Sequence, residues 1–127
     1  MKWMTLMFLV FAAPAWADDA ANCKEPKNQS EMTLCAADDF GKADKMLNQI
    51  WPKIKGQAEA NDKESGKSEY TDALLASQRA WLAFLEAECT LQGFEMHGGS
   101  GEPMLYYGCK ARLTKQRIKQ IQTGASE

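Results

Sequence analysis

Histidine is nearly absent from this chain: His97 is the only one among 127 residues. A site built from several histidines is therefore excluded. The four cysteines, Cys23, Cys35, Cys89 and Cys109, are widely spaced, with no Cys-x-x-Cys pair to nucleate a zinc centre. No metal and no cofactor is expected. A basic excess is also missing. Fifteen Lys and Arg stand against 17 Asp and Glu, a formal charge of −2, so the chain lacks the cationic face that nucleic acid requires. No segment alternates apolar and polar residues with period two, which removes the usual signal for a half-buried strand. After the first residues, no apolar run approaches the roughly 20 positions that span a bilayer.

The one long apolar run is Trp3–Ala13, behind Lys2 and ahead of Pro14 and Ala15-Trp16-Ala17. A short basic start, an apolar centre and a small-x-small end read as a secretory signal peptide over residues 1–17, cleaved before Asp18. Cys23 follows Ala20-Ala21-Asn22, too far from that point for a lipid-modified cysteine. The expectation is thus a periplasmic or secreted chain with no membrane anchor after cleavage. The mature part, 18–127, has 110 residues and a formal charge of −3 once Lys2 is lost. That is one domain with a modest core. Four cysteines in a small exported domain imply two disulfides, and three pairings are open.

What is present is helical periodicity. Asn28 and Glu31 form a capping pattern, with Ser30 as a competing cap. Met32, Cys35/Ala36, Phe40, Ala43, Leu47, Ile50 and Ile54 then recur at three- and four-residue steps. Pro52 predicts a kink or break near Trp51. The polar stretch 56–69 reads as a solvated connection. A second helix starts near Ser68 or Thr71 and carries Leu74, Trp81, Leu82, Leu85 and Cys89 on one stripe. Gln78 is a polar exception on it, Leu75 and Phe84 widen it, and Gly93 ends it. A third begins at Pro103 or Met104 with Leu105, Cys109, Leu113, Arg117/Ile118 and Ile121. Arg112, Lys115, Arg117 and Lys119 suit its C-terminal dipole. The fold expected is all-α: a small antiparallel bundle of about three helices, stapled at one end by two disulfides.

Chemistry finds little support. His97 and Ser100, with Glu95 or Glu102 as the acid, sketch a hydrolase, but no strand–elbow–helix context surrounds Ser100. "HGGSG" lacks the Lys-Ser/Thr and the preceding strand of a phosphate loop. Glu86 and Glu88 lie two apart on a helix and diverge, so with Asp72 they make no facing carboxylate pair. Ion pairing is the simpler role; Arg112 is a partner within reach for Glu88, and Arg79 is placed for a surface or inter-helix pair.

Seven pieces together carry a resemblance: Cys23, "SEMTLCA" (30–36), "ADKMLN" (43–48), "LLASQRAWLAFLEAEC" (74–89), "GGS" (98–100), "MLYYGC" (104–109) and "LTKQRIKQI" (113–121). In this order they resemble the LprI-type lysozyme inhibitor family. Two departures stand out: Leu85 where the family usually has arginine, and Pro52 directly after Trp51. The resemblance implies an exported, disulfide-bonded helical domain, not an enzyme, and in at least one branch inhibition of a lysozyme by direct binding. The expected contacts with a protein partner are His97, Gly98, Gly99, Ser100 and Glu102, in a mobile loop at the bundle end. The alternatives are an envelope interaction or immunity module with another partner, and a small hydrolase. Oligomeric state is not legible.

Overall fold

The computed structural model describes residues 22–124. Three helices, α1 (Gln29–Ser65), α2 (Glu69–Gly93) and α3 (Glu102–Gly124), form an all-α bundle, with a 3-10 turn at Phe94–Met96. The proposed signal peptide and its cleavage point lie outside the described residues.

Helix α1 begins as its sequence suggests. Asn28 is the cap: its side chain accepts from the Glu31 N–H at 2.9 Å, and the Glu31 carboxylate reaches back to the Lys27 N–H at 2.7 Å. Two N–H groups otherwise orphaned at the helix entry are satisfied.

Two expectations about α1 are corrected. The helix does not end near Trp51, and residues 56–65 are not a connection: α1 runs unbroken to Ser65 with Pro52 inside it. Leu47 and Ile54 are buried on either side of the proline, and Ala58 is buried beyond it. Packing of this stripe holds the helix through a residue that costs about 3 kcal/mol in an isolated helix interior. Pro52 itself is exposed, so water can reach the carbonyl its missing N–H leaves free. The polar stretch is helical because one residue per turn still faces the bundle. Only 66–68 form the connection. Gly66 takes φ +69°, a left-handed value that stops the helix, and its N–H returns to the Asp62 carbonyl.

Asp62 also starts the next helix. Ser68, at the N-cap of α2, makes no side-chain cap bond. The Asp62 carboxylate accepts from the N–H groups of Tyr70 (2.8 Å) and Thr71 (3.0 Å) instead. Burial opposes charge on Asp62, but the bonds from Thr71 and Tyr70 outweigh it and hold its pKa below the ordinary carboxylate value.

The core has two clusters. Leu47, Ile54, Ile118 and Ile121 form one, and Leu85, Cys89 and Cys109 the other. Trp81 packs against both, which is the core-filling role its position on α2 implies. The polar exceptions on two stripes explain each other. Arg117 does not sit in the solvated C-terminal turn; it is buried and donates from Nε to Gln78 Oε1 and from Nη2 to Ser77 Oγ, each at 3.0 Å. Leu82 and Phe84, expected on the inner stripe, are about half exposed.

The disulfides are Cys23–Cys35 and Cys89–Cys109. Both lie at the end where α1 starts, α2 stops and α3 starts. The first ties the lead-in to α1 and the second ties α2 to α3, so neither joins α1 to the other two helices. That junction is made by packing and by Lys115 of α3, which donates to both Asp39 carboxylate oxygens at 2.7 Å. Lys110 adds a cation–π contact, 4.6 Å from the Phe40 ring centroid.

Candidate partner-binding loop

The connection 94–101 joins two helices already linked by Cys89–Cys109. Gly93 is buried, and a Cβ there would meet Glu102 Cγ and backbone oxygen at 3.4 and 3.5 Å. The two helix ends therefore approach closely. The chain then turns in a short space: the His97 N–H bonds to Phe94 O (3.1 Å), Gly99 N–H to Met96 O (2.9 Å) and Glu102 N–H to Gly99 O (3.3 Å). Gly98 sits at φ +76°, where a side chain is strained. Gly101 is buried because the Met96 thioether occupies the space a Cβ would need.

Glu102 organises this turn. Its Oε2 accepts from the Gly98 N–H at 2.7 Å, and its Oε1 lies 3.2 Å from His97 Nδ1. The Gly98 bond foremost, then His97, lowers its pKa below the ordinary carboxylate value. The His97 ring also packs on Phe94, with centroids 4.3 Å apart. The loop is a fastened turn rather than the slack segment its glycines suggest. His97, Gly98 and Glu102 are brought together. Gly99 and Ser100 are exposed beside them. Ser100 makes no hydrogen bond to His97, so a Ser–His–acid relay is not assembled.

A groove of about 470 Å³ runs beside the turn, between Thr90 and Gly93 of α2 and Pro103, Tyr106 and Tyr107 of α3. Three large apolar side chains are exposed nearby in sequence: Leu91 (63%), Phe94 (50%) and Met96 (42%). Sequence reasoning did not single them out. The signal was available, because α2 carries Leu91 outside its inner stripe, and a helix apolar on more than one face has surplus apolar surface.

The carboxylates of α2 are engaged structurally. Glu86 accepts from Lys110 Nζ and from Tyr106 Oη at 2.6 Å. Those bonds, Lys110 first, lower its pKa, while Glu86 raises that of Tyr106. Burial opposes charge on Lys110, but the Glu86 and Tyr106 oxygens outweigh it and lift its pKa. Glu88 and Arg112 do not pair directly; Gln92 stands between them, donating to Glu88 at 3.0 Å and accepting from Arg112 at 2.6 Å. Among the described residues no His/Cys/Asp/Glu group of three could hold a metal ion, and no helix is long and apolar enough to cross a membrane.

Comparison with known proteins places the chain in a family. The family model for lysozyme inhibitor LprI matches residues 20–121. An uncharacterized protein of Rhizobium meliloti (strain 1021) is 36% identical over 121 residues, covering 91% of this chain and 87% of that protein. No solved structure matches the chain. Two formed disulfides and this family are both features of an extracytoplasmic protein. The chain belongs to the LprI lysozyme inhibitor family.

Proposed function

We propose that the protein, exported by residues 1–17 and released as 18–127 into the periplasm or medium, inhibits a lysozyme-like muramidase by binding it, without catalysis. Family membership carries the target class. The fastened turn supports the surface. Its backbone is ordered before binding, so little conformational freedom remains to be lost on docking. Exposed His97, Gly98, Gly99 and Ser100 project from it, and Leu91, Phe94 and Met96 supply apolar area beside them. Glu102 acts mainly from within, by holding the turn. Glu95 and the formal charge of −3 on the mature chain favour a cationic enzyme.

The test is titration of oxidised 18–127 against lysozymes of several classes at low and physiological salt. Stoichiometric inhibition that weakens with salt, and falls at least tenfold in Leu91→Ala/Phe94→Ala, is expected. Full activity of every class at excess inhibitor would overturn the reading.

A further inference from the structure

The end of the bundle away from the disulfides holds a pocket of about 340 Å³, between the second half of α1, the start of α2 and the end of α3. Its walls include Ile54, Leu74 and Ile121, with the polar groups of Asn61, Tyr70 and Gln120 also lining it. Among the described residues one charged side chain lines it, Arg117, and no acid does.

Arg117 is only 9% exposed, yet none of the ion pairs among the described residues includes it. Lys110 and Lys115, on the same helix, each have a carboxylate. A buried cation without an anion is costly. Among the described residues Arg117 is held by neutral groups only: Gln78, Ser77, and the Trp81 ring 5.8 Å from its Cζ. A guanidinium has five N–H donors and stays charged at all ordinary pH. Gln78 and Ser77 use one on Nε and one on Nη2. The remaining donors, on Nη1 and Nη2, form the fork that fits the two oxygens of a carboxylate. Burial also pushes the Arg117 pKa down, as expected of a charge lacking its counterpart.

We propose that this pocket binds a monocarboxylate with a compact apolar body, its carboxylate on Arg117 and its body against Ile54, Leu74 and Ile121. A single fixed cation neutralises one negative charge; a second, as on a phosphate monoester, would be left uncompensated against apolar walls. The volume lies at the small end of ligand pockets, so the occupant is of amino-acid or dipeptide size. A free acid and the C-terminal residue of a peptide share this chemistry. The inference is independent of the muramidase reading and of the loop at the other pole.

The test is an NMR titration of the oxidised protein with N-acetylleucine, its uncharged amide, and a longer peptide ending in a free leucine carboxylate, at constant ionic strength. The acid should shift the amides of Asn61, Leu74, Gln120 and Ile121 saturably, at least about tenfold more tightly than the amide. A peptide that binds much more tightly than N-acetylleucine identifies a chain terminus as the ligand; equal affinity identifies a small acid. Arg117→Gln should abolish the preference for acid over amide. Because that change touches the core, a second variant uses Gln57, which also lines the pocket: Gln57→Trp crowds it with Arg117 intact and should weaken binding of the acid. Equal shifts from acid and amide, no saturable shift, or undiminished binding in both variants would overturn the proposal.

Discussion

The two poles of the bundle are held by different means. At one, α2 and α3 are joined by Cys89–Cys109, the lead-in is tied to α1 by Cys23–Cys35, and the Gly98–Glu102 turn is closed by its own hydrogen bonds. At the other there is no disulfide. A three-residue connection, the Asp62 carboxylate on the N-terminus of α2 and a buried arginine held by neutral groups do the same work. The first pole keeps a surface in one shape. The second leaves space and, among the described residues, an arginine with no carboxylate partner. Rigidity and vacancy are thus separated along the axis of one small domain.

The sharpest way to break this contrast is at Cys89–Cys109. Changing both to serine should lower unfolding stability by about 2–4 kcal/mol in urea titrations, and should speed amide exchange most in 94–102. The same change at Cys23 and Cys35 should cost less. That bridge closes a separation of 12 residues rather than 20, and its exposed lead-in can fray without opening the core. Equal losses would mean the lead-in is as much a part of the cooperative unit as α2 and α3.

Gly98→Ala imposes a side chain at φ +76° and should cost about 1–2 kcal/mol, with altered shifts confined to the turn. Midway between the poles, Thr114 is wholly buried and its hydroxyl has no partner among the described residues. Thr114→Val should therefore stabilise the protein, by about 1 kcal/mol, with no preference for either pole. Asp62→Ala should lower the melting temperature slightly and loosen the first turn of α2, leaving exchange in the glycine turn unchanged.

The smallest effect expected is a pH response of that turn. Glu102 has a lowered pKa in the folded protein. Its contribution is present above the unfolded carboxylate value and is lost as pH falls through the lower folded value. The Gly98 amide resonance should hold steady near neutrality and move only under acidic conditions. A step near pH 7 would mean that something other than the Glu102 carboxyl controls the turn.

Much of this architecture is readable from residue order. The Asn28–Glu31 start, the stripe through Ala43, Leu47 and Ile54, the stop at Gly93 and the core position of Trp81 all follow from local chemistry and helical spacing. The extent of α1 does not. Pro52 and the polar run after Ile54 both argue locally for an end, and what overrides them is burial of Ile54 and Ala58 within the bundle. The candidate site divides in the same way. The glycines mark a turn, but not that Glu102 closes it, because its partners are backbone and side-chain atoms placed by the fold. Leu82 and Phe84 carry helical spacing, yet periodicity alone does not say which of two apolar faces will find a neighbour.

The sequence by itself determined three things: the helical class, a family, and two disulfides at one end, since each rests on local spacing or residue type. Only the tertiary structure decided the rest. It decided which cysteines pair, that α1 passes its proline, that Gln78 answers Arg117 across 39 residues, and that Asp62 caps a helix it does not belong to. Those contacts join residues whose proximity is a consequence of packing, which minimises exposed apolar area over the whole chain at once.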